Sequence, residues 1–185
     1  MTARLFWIFT AAFLGLAVHI ATILYLPGLS FARNLSRVTE QAANNSFFVM
    51  KPETQVGLLP TATSQDIIGL CLVDLSKGNV LISAHGLSQL WSLAIYKKSG
   101  QQVYAINDVE AGTGDFSVEL SKSKSLLQQL VSRPDAEDAK VIENVGWHAE
   151  MAENTAIAVL WMPVPDALQR AALEKVVKAT SCKPK

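Results

Sequence analysis

His148-Ala149-Glu150 sets an imidazole and a carboxylate two residues apart. On a strand that spacing turns both side chains to one face, where they could share a metal ion, but no third ligand is signalled. His85 is the other histidine beyond the N-terminal apolar segment, and both read as surface loop residues. Serines are numerous, yet none sits in the Gly-x-Ser-x-Gly turn that exposes a nucleophile. Gly112-Thr113-Gly114 lacks the following helix and lysine of a phosphate-binding loop. Asp108, Glu110 and Asp115 make an acidic loop, able to hold a cation or simply to be solvated. Trp91, Tyr96 and Tyr104 fall on neighbouring expected strands, and with Asn107 and Asp108 they form a candidate ligand face. Their alternative role is cross-strand packing, with Asn107-Asp108 capping a turn. No catalytic residue, cofactor motif or metal set is indicated.

Two cysteines remain, Cys71 in an expected strand and Cys182 beyond the last expected helix. They suit a disulfide formed in an oxidising compartment, or else two free thiols, one buried and one on the tail. A bridge would close a loop of about 110 residues, worth roughly 4–5 kcal/mol by chain entropy, and would pin the C-terminal helix to a sheet. Their spacing is not that of a zinc site.

The elements that must position these residues begin with an apolar segment. No residue from Leu5 to Leu26 carries a formal charge. As a helix at ~1.5 Å per residue the stretch is ~33 Å long, enough to cross a hydrocarbon core of ~30 Å. Lipid offers the backbone no partners, so such a run must be helical. Trp7 and Tyr25 stand near its two ends, and Pro27-Gly28 is expected to stop the helix. A retained single-pass anchor is one reading. A signal peptide cleaved after Ala32 is the other, since Ser30-Phe31-Ala32 has small residues where a signal peptidase reads; export signals have shorter apolar cores. No cysteine follows the segment closely, which excludes a bacterial lipid anchor. Arg4 at one end and Arg33 and Arg37 at the other leave orientation open. Ala11, Gly15, His19 and Thr22 share about 80° of the helical wheel, a candidate contact face for a second membrane helix, with His19 as its polar contact or bonded within its own surroundings.

Beyond the anchor the chain has one more acidic than basic residue, which argues against a nucleic-acid partner. Segments 1–32, 33–66 and 67–185 read as anchor, juxtamembrane helix plus linker, and one β-rich domain. The helix is expected within Phe31 to Met50 and the loop within Lys51 to Asp66. From Ile67 the apolar period is two, as in half-buried strands. Strands are expected at Ile68 to Asp74, Val80 to Ala84, Trp91 to Tyr96, Val103 to Asn107, Phe116 to Leu120, Val141 to Val145 and Thr155 to Trp161. Turn signals separate them at Lys77-Gly78-Asn79, Ser99-Gly100, Gly112-Thr113-Gly114 and Arg133-Pro134-Asp135. Ser123 to Val131 reads as a short helix. Asp166 with Gln169 forms a capping box for a final helix whose Ala172, Leu173, Val176 and Val177 face the sheet. The fold class is mainly β with a C-terminal helix (α+β), an antiparallel jelly-roll-like sandwich behind one transmembrane helix.

Leu90-Trp91-Ser92-Leu93-Ala94-Ile95-Tyr96, Gly100 and Val103-Tyr104-Ala105-Ile106-Asn107-Asp108 resemble the signature of the DUF1254 family. Its small bacterial members are similar over nearly the whole chain, including a helix with a histidine and a terminal proline, here His19 and Pro27. Lys122 to Glu153 departs most from the pattern. The resemblance implies a jelly-roll-like domain on the periplasmic side of a bacterial inner membrane. Larger soluble members join this domain to a DUF1214 domain, so a separately encoded DUF1214-type protein is the implied partner, with a homo-oligomer as the alternative. It implies no activity and no catalytic residues. A partner-binding envelope module is thus the leading expectation, a binding module for a small or lipidic envelope molecule the second, and an unrecognised enzyme the third.

Overall fold

The computed structural model describes residues 2–39, 43–58, 63, 65–87, 90–112, 114–123 and 146–185. Helix α1 (Thr2–Thr39) is followed by β1 (Phe47–Val49), α2 (Pro52–Leu58), β2 (Asp66–Asp74), β3 (Val80–Ala84), β4 (Ser92–Lys97) and β5 (Gln102–Asn107). Then come α3 (Asp108–Ala111), β6 (Phe116–Lys122), β7 (Trp147–Met151), β8 (Thr155–Pro163), a 3-10 turn (Ala167–Gln169), α4 (Arg170–Ala179) and β9 (Ser181–Pro184). The expected strand Val141 to Val145, the turn Arg133-Pro134-Asp135 and all but the first residue of the expected helix Ser123 to Val131 lie outside the described residues.

The strands make two sheets, one ordered β1-β2-β8-β4-β5 and the other β7-β6-β3-β9. Their inner faces meet in one core. Ile67, Cys71 and Val73 of β2, Leu93 and Ile95 of β4 and Leu160 and Met162 of β8 pack with Val80 and Ile82 of β3 and Phe116, Val118 and Leu120 of β6. The period-two alternation of β4 is realised directly: Leu93 and Ile95 are fully buried while Ser92, Ala94 and Tyr96 are half-buried on the other side. β2 has no such alternation, because it is covered on both faces. Its Ile68 and Leu70 join Met50 and Ile157 in a second apolar cluster on the outer side of the five-stranded sheet. The run Ile157, Val159, Trp161 of β8 belongs to that outer cluster, while Ala156, Ala158, Leu160 and Met162 face the core.

Helix α4 presents Leu173 and Val177 to the core. It approaches β2 so closely that a Cβ on Gly69 would meet Phe47 and Val177. Ala172, expected on the same buried face, is exposed, and Val176 is half-buried. Ala172 stands roughly 100° round the helix from Leu173 and roughly 140° from Val177, outside their stripe. Asp166 caps the 3-10 turn by accepting from the Leu168 N–H at 2.9 Å, and the α-helix begins at Arg170.

Several expectations are corrected. Pro27-Gly28 does not stop the first helix, whose backbone runs on to Thr39. A proline deletes one N–H from the ladder, and the bonds on either side can continue past it. The domain begins well before residue 67: β1 pairs with β2, Phe47↔Cys71 and Val49↔Gly69, and α2 occupies part of the expected linker. A three-residue strand is too short to show a period. The sheets are not wholly antiparallel either. β6 and β7 are parallel, Val118↔Trp147 through Lys122↔Met151, and the connection 123–146 is long enough for the crossover a parallel pair requires. β7 and β9 were not expected as strands; both are edge strands of the four-stranded sheet.

Candidate functional site

The apolar part of α1 is the first candidate. Ala3–Leu26 has a mean hydropathy of 2.0, and none of it is buried. The segment therefore packs on nothing among the described residues of the domain. Ala11, Gly15, His19 and Thr22 are all exposed, and the Thr22 hydroxyl donates to the Val18 carbonyl at 2.8 Å, one turn back. Thr10 does the same to Phe6 at 2.9 Å, so both threonines satisfy themselves within the helix.

The cysteines are joined. Cys71 on β2 and Cys182 on β9 form a disulfide that links one sheet to the other, with Cα atoms 6.5 Å apart. Both are buried, and β9 extends the chain past α4, so the bridge ties helix and last strand to the sandwich.

The aromatic and polar residues expected to share a ligand face are separated. Trp91 lies in the core, 1% exposed, its ring centroid 4.9 Å from that of Phe116. Tyr104 pairs with Ile95 on the inward side of β5, where burial and the neighbouring Glu110 carboxylate push its hydroxyl pKa up. Tyr96 points to the opposite side of β4. Alternation along β4 is the cause: Tyr96 is an odd number of residues from Trp91 and Ile95, so it faces away from the core on which Trp91 and Tyr104 both lie. Asn107 caps the single turn α3, its Oδ1 accepting from Glu110 N–H at 2.9 Å, and Gly112 closes that turn in the left-handed region at φ 66°. Asp108 is the first residue of the same turn. Asp115, of the expected acidic loop, accepts from Gly86 N–H at 2.7 Å and faces His85 at 3.4 Å; these contacts hold its carboxyl below the usual range.

A polar array that the sequence showed only in part lies on the outer side of the four-stranded sheet. β6 and β7 run side by side there, with Glu119 opposite His148 and Ser121 opposite Glu150. Glu119 is buried, takes Lys185 Nζ at 2.8 Å and accepts from Asn79 Nδ2 at 2.6 Å; the lysine above all holds its carboxyl below the ordinary glutamate range. Ser121 Oγ is 3.0 Å from His148 Nε2, and Glu150 Oε1 is 3.6 Å from the same nitrogen. A Ser–His–acid relay needs the acid on Nδ1, so that Nε2 can take the serine proton. Here hydroxyl and carboxylate compete for one atom, and the arrangement is not a relay. The sequence signal was the i, i+2 pair alone; Ser121 lies 27 residues away from His148, and only the parallel pairing of strands brings it in.

Two cavities are bounded by described residues. One of about 280 Å³ lies between Gln102-Val103 on β5 and Glu150-Met151 on β7. The other, about 270 Å³, lies between Asn45-Ser46-Phe47 and the stretch from Lys178 to Lys183. Both are small for a ligand site and bordered largely by polar groups. Among the described residues no group of three or more His, Cys, Asp or Glu side chains could hold a metal ion.

No known family model matches this chain, and no curated protein sequence matches it. Its fold is similar to that of the VPA0106 protein of Vibrio parahaemolyticus, with a TM-score of 0.59 and 11% identity over 86% of this chain and 36% of that one. An uncharacterised protein of Burkholderia cenocepacia is a weaker match, TM-score 0.44 and 10% identity over 66% of this chain and 32% of that one. The chain thus spans about a third of the length of either solved structure. At these identities the likeness is one of fold alone.

Proposed function

We propose that this is a single-pass membrane protein whose β domain stands on the periplasmic side of a bacterial inner membrane and serves as a protein-interaction module. The observation that carries the reading is the wholly exposed, apolar helix Ala3–Leu26, in which Arg4 at the very start is the one formal charge. In water that much bare apolar surface is strongly unfavourable, at roughly 25 cal/mol per Å², and a bilayer removes it. The disulfide between the sheets supports an oxidising compartment for the domain. The domain itself is a DUF1254-type, jelly-roll-like sandwich, a reading that rests on the residues of β4 and β5 quoted above. Its partner is a DUF1214-type protein. That the same fold accounts for only 36% of a longer Vibrio chain supports a domain that works joined to, or docked on, further polypeptide. A pocket for a lipidic molecule has less support, because Trp91, Tyr96 and Tyr104 do not converge.

The test is purification of the tagged chain from bacterial membranes in a mild detergent, with cross-linking before lysis. A DUF1214-type protein is expected to co-elute in fixed stoichiometry. A solitary monomer in every mild detergent, with no cross-linked species, overturns the partner. Recovery of a soluble chain starting near Arg33 overturns the anchor.

A further inference from the structure

The geometry points to a divalent transition-metal site on the open side of the four-stranded sheet, with His148 Nε2 and Glu150 Oε1 as ligands and the Ser121 hydroxyl as a third donor. Three features carry it. First, two donors bound to one ion at ~2.0–2.2 Å each lie ~3.3–3.6 Å apart in the tetrahedral disposition of Zn²⁺ and roughly 2.8–3.1 Å apart as neighbours in the square-planar one of Cu²⁺. His148 Nε2 and Glu150 Oε1 are 3.6 Å apart, so both can reach one ion, with the two exposed side chains closing by about half an ångström or more for Cu²⁺. Second, the crowding that spoils a catalytic relay suits a metal: a hydroxyl oxygen at 3.0 Å and a carboxylate oxygen at 3.6 Å both lie beside one ring nitrogen. Third, the site is open. His148 and Glu150 side chains are 49% and 55% exposed, which leaves room for the waters that must complete the coordination.

Ligand type selects the ion. One imidazole with oxygen donors suits Cu²⁺ or Zn²⁺ and is poor for Ca²⁺ or Mg²⁺, which require more oxygens. The general affinity order places Cu²⁺ above Zn²⁺ for the same donors. Glu119, opposite His148 on β6, stays with Lys185 and Asn79 and is not a ligand; it lies close enough to add to the negative field at the site. The ion would join β7 to β6 across their parallel pairing, because two ligands stand on one strand and the third donor on its neighbour. The inference does not rest on the membrane or partner reading.

The experiment titrates Cu²⁺ and Zn²⁺ into the full-length chain in a non-ionic detergent, reading calorimetric heat and thermal unfolding. One equivalent of Cu²⁺ is expected to bind, more tightly than Zn²⁺, and to raise the unfolding temperature. His148→Gln and Glu150→Gln are each expected to weaken binding at least about tenfold, with Ser121→Ala weaker in effect. His85→Gln is the control and leaves binding unchanged. Both ligand side chains are largely solvent-facing, so the variants should fold; their unfolding temperatures without metal check this. Absence of stoichiometric binding by either ion, equal affinity in His148→Gln, or loss of binding in His85→Gln overturns the site.

Discussion

Gly69 shows how one missing side chain sets the position of a whole helix. Its Cβ would meet Phe47 on β1 and Val177 on α4, both short or rigid groups with little freedom to move aside. Gly69→Ala is therefore expected to destabilise the domain by about 1–3 kcal/mol, the usual range for overpacking a filled core, measured by urea unfolding. Glu119 is the informative titrating residue. Its side chain is 10% exposed and its folded pKa is depressed, chiefly by the bond from Lys185. A depressed carboxylate pKa adds stability that is complete above the unfolded-state pKa and is lost as pH falls through the folded one. Stability should thus decline on acidification below the ordinary glutamate range. In Glu119→Gln the stability at neutral pH should be lower and that part of the decline should vanish, as unfolding curves across the acid range will show. Trp91 was legible as one of the apolar face Trp91, Leu93 and Ile95 alternating with Ser92, Ala94 and Tyr96, and that face is the buried one; its partner Phe116 on the other sheet was not legible.

At the scale of elements, α4 and β9 depend on one covalent link. The bridge joins residues separated by 111 in sequence, and the chain-entropy model assigns such a loop roughly 4–5 kcal/mol. Cys71→Ser/Cys182→Ser, or mild reductant, is expected to lower the unfolding temperature of the domain, with α4 and β9 losing amide-exchange protection before the central strands β2 and β8. Uniform loss of protection would count against that order. β4 and β5 were legible because β4 is buried on one side and the two are joined through Ser99-Gly100, where Gly100 has φ 86°; the register shift between Ile95 and Tyr96 was not legible. β1, β7 and β9 were not. Each is short and lies at a sheet edge, where pairing with a distant neighbour rather than a local pattern makes it a strand.

For the whole molecule the lengths of α1 and of the apolar run differ. The helix has 38 residues, ~57 Å at ~1.5 Å per residue, against ~30 Å of hydrocarbon. On the proposed membrane reading, the part beyond Leu26 is a helical stalk that lifts the sandwich off the bilayer. Thiol labelling in intact cells tests this compartment directly. Without reductant, Cys71 and Cys182 should be blocked, and after a membrane-impermeant reductant with partial unfolding both should label from outside. Labelling of both thiols only after lysis, with no reductant, would place the domain in the cytoplasm.

The apolar run at Leu5 to Leu26, the period-two strands and the pair of cysteines were determined by the order of residues alone, because hydropathy and side-chain alternation act over neighbours in the chain. Other properties were decided only in three dimensions: that Tyr104 of β5 packs on the same side as Ile95, that β6 and β7 run parallel, that Cys71 meets Cys182 across two sheets, and that Ser121 lies beside His148. Each of these is a contact between separate segments, and all but the first join segments tens of residues apart. No local preference encodes such a contact; the packing that excludes water from both inner faces selects it.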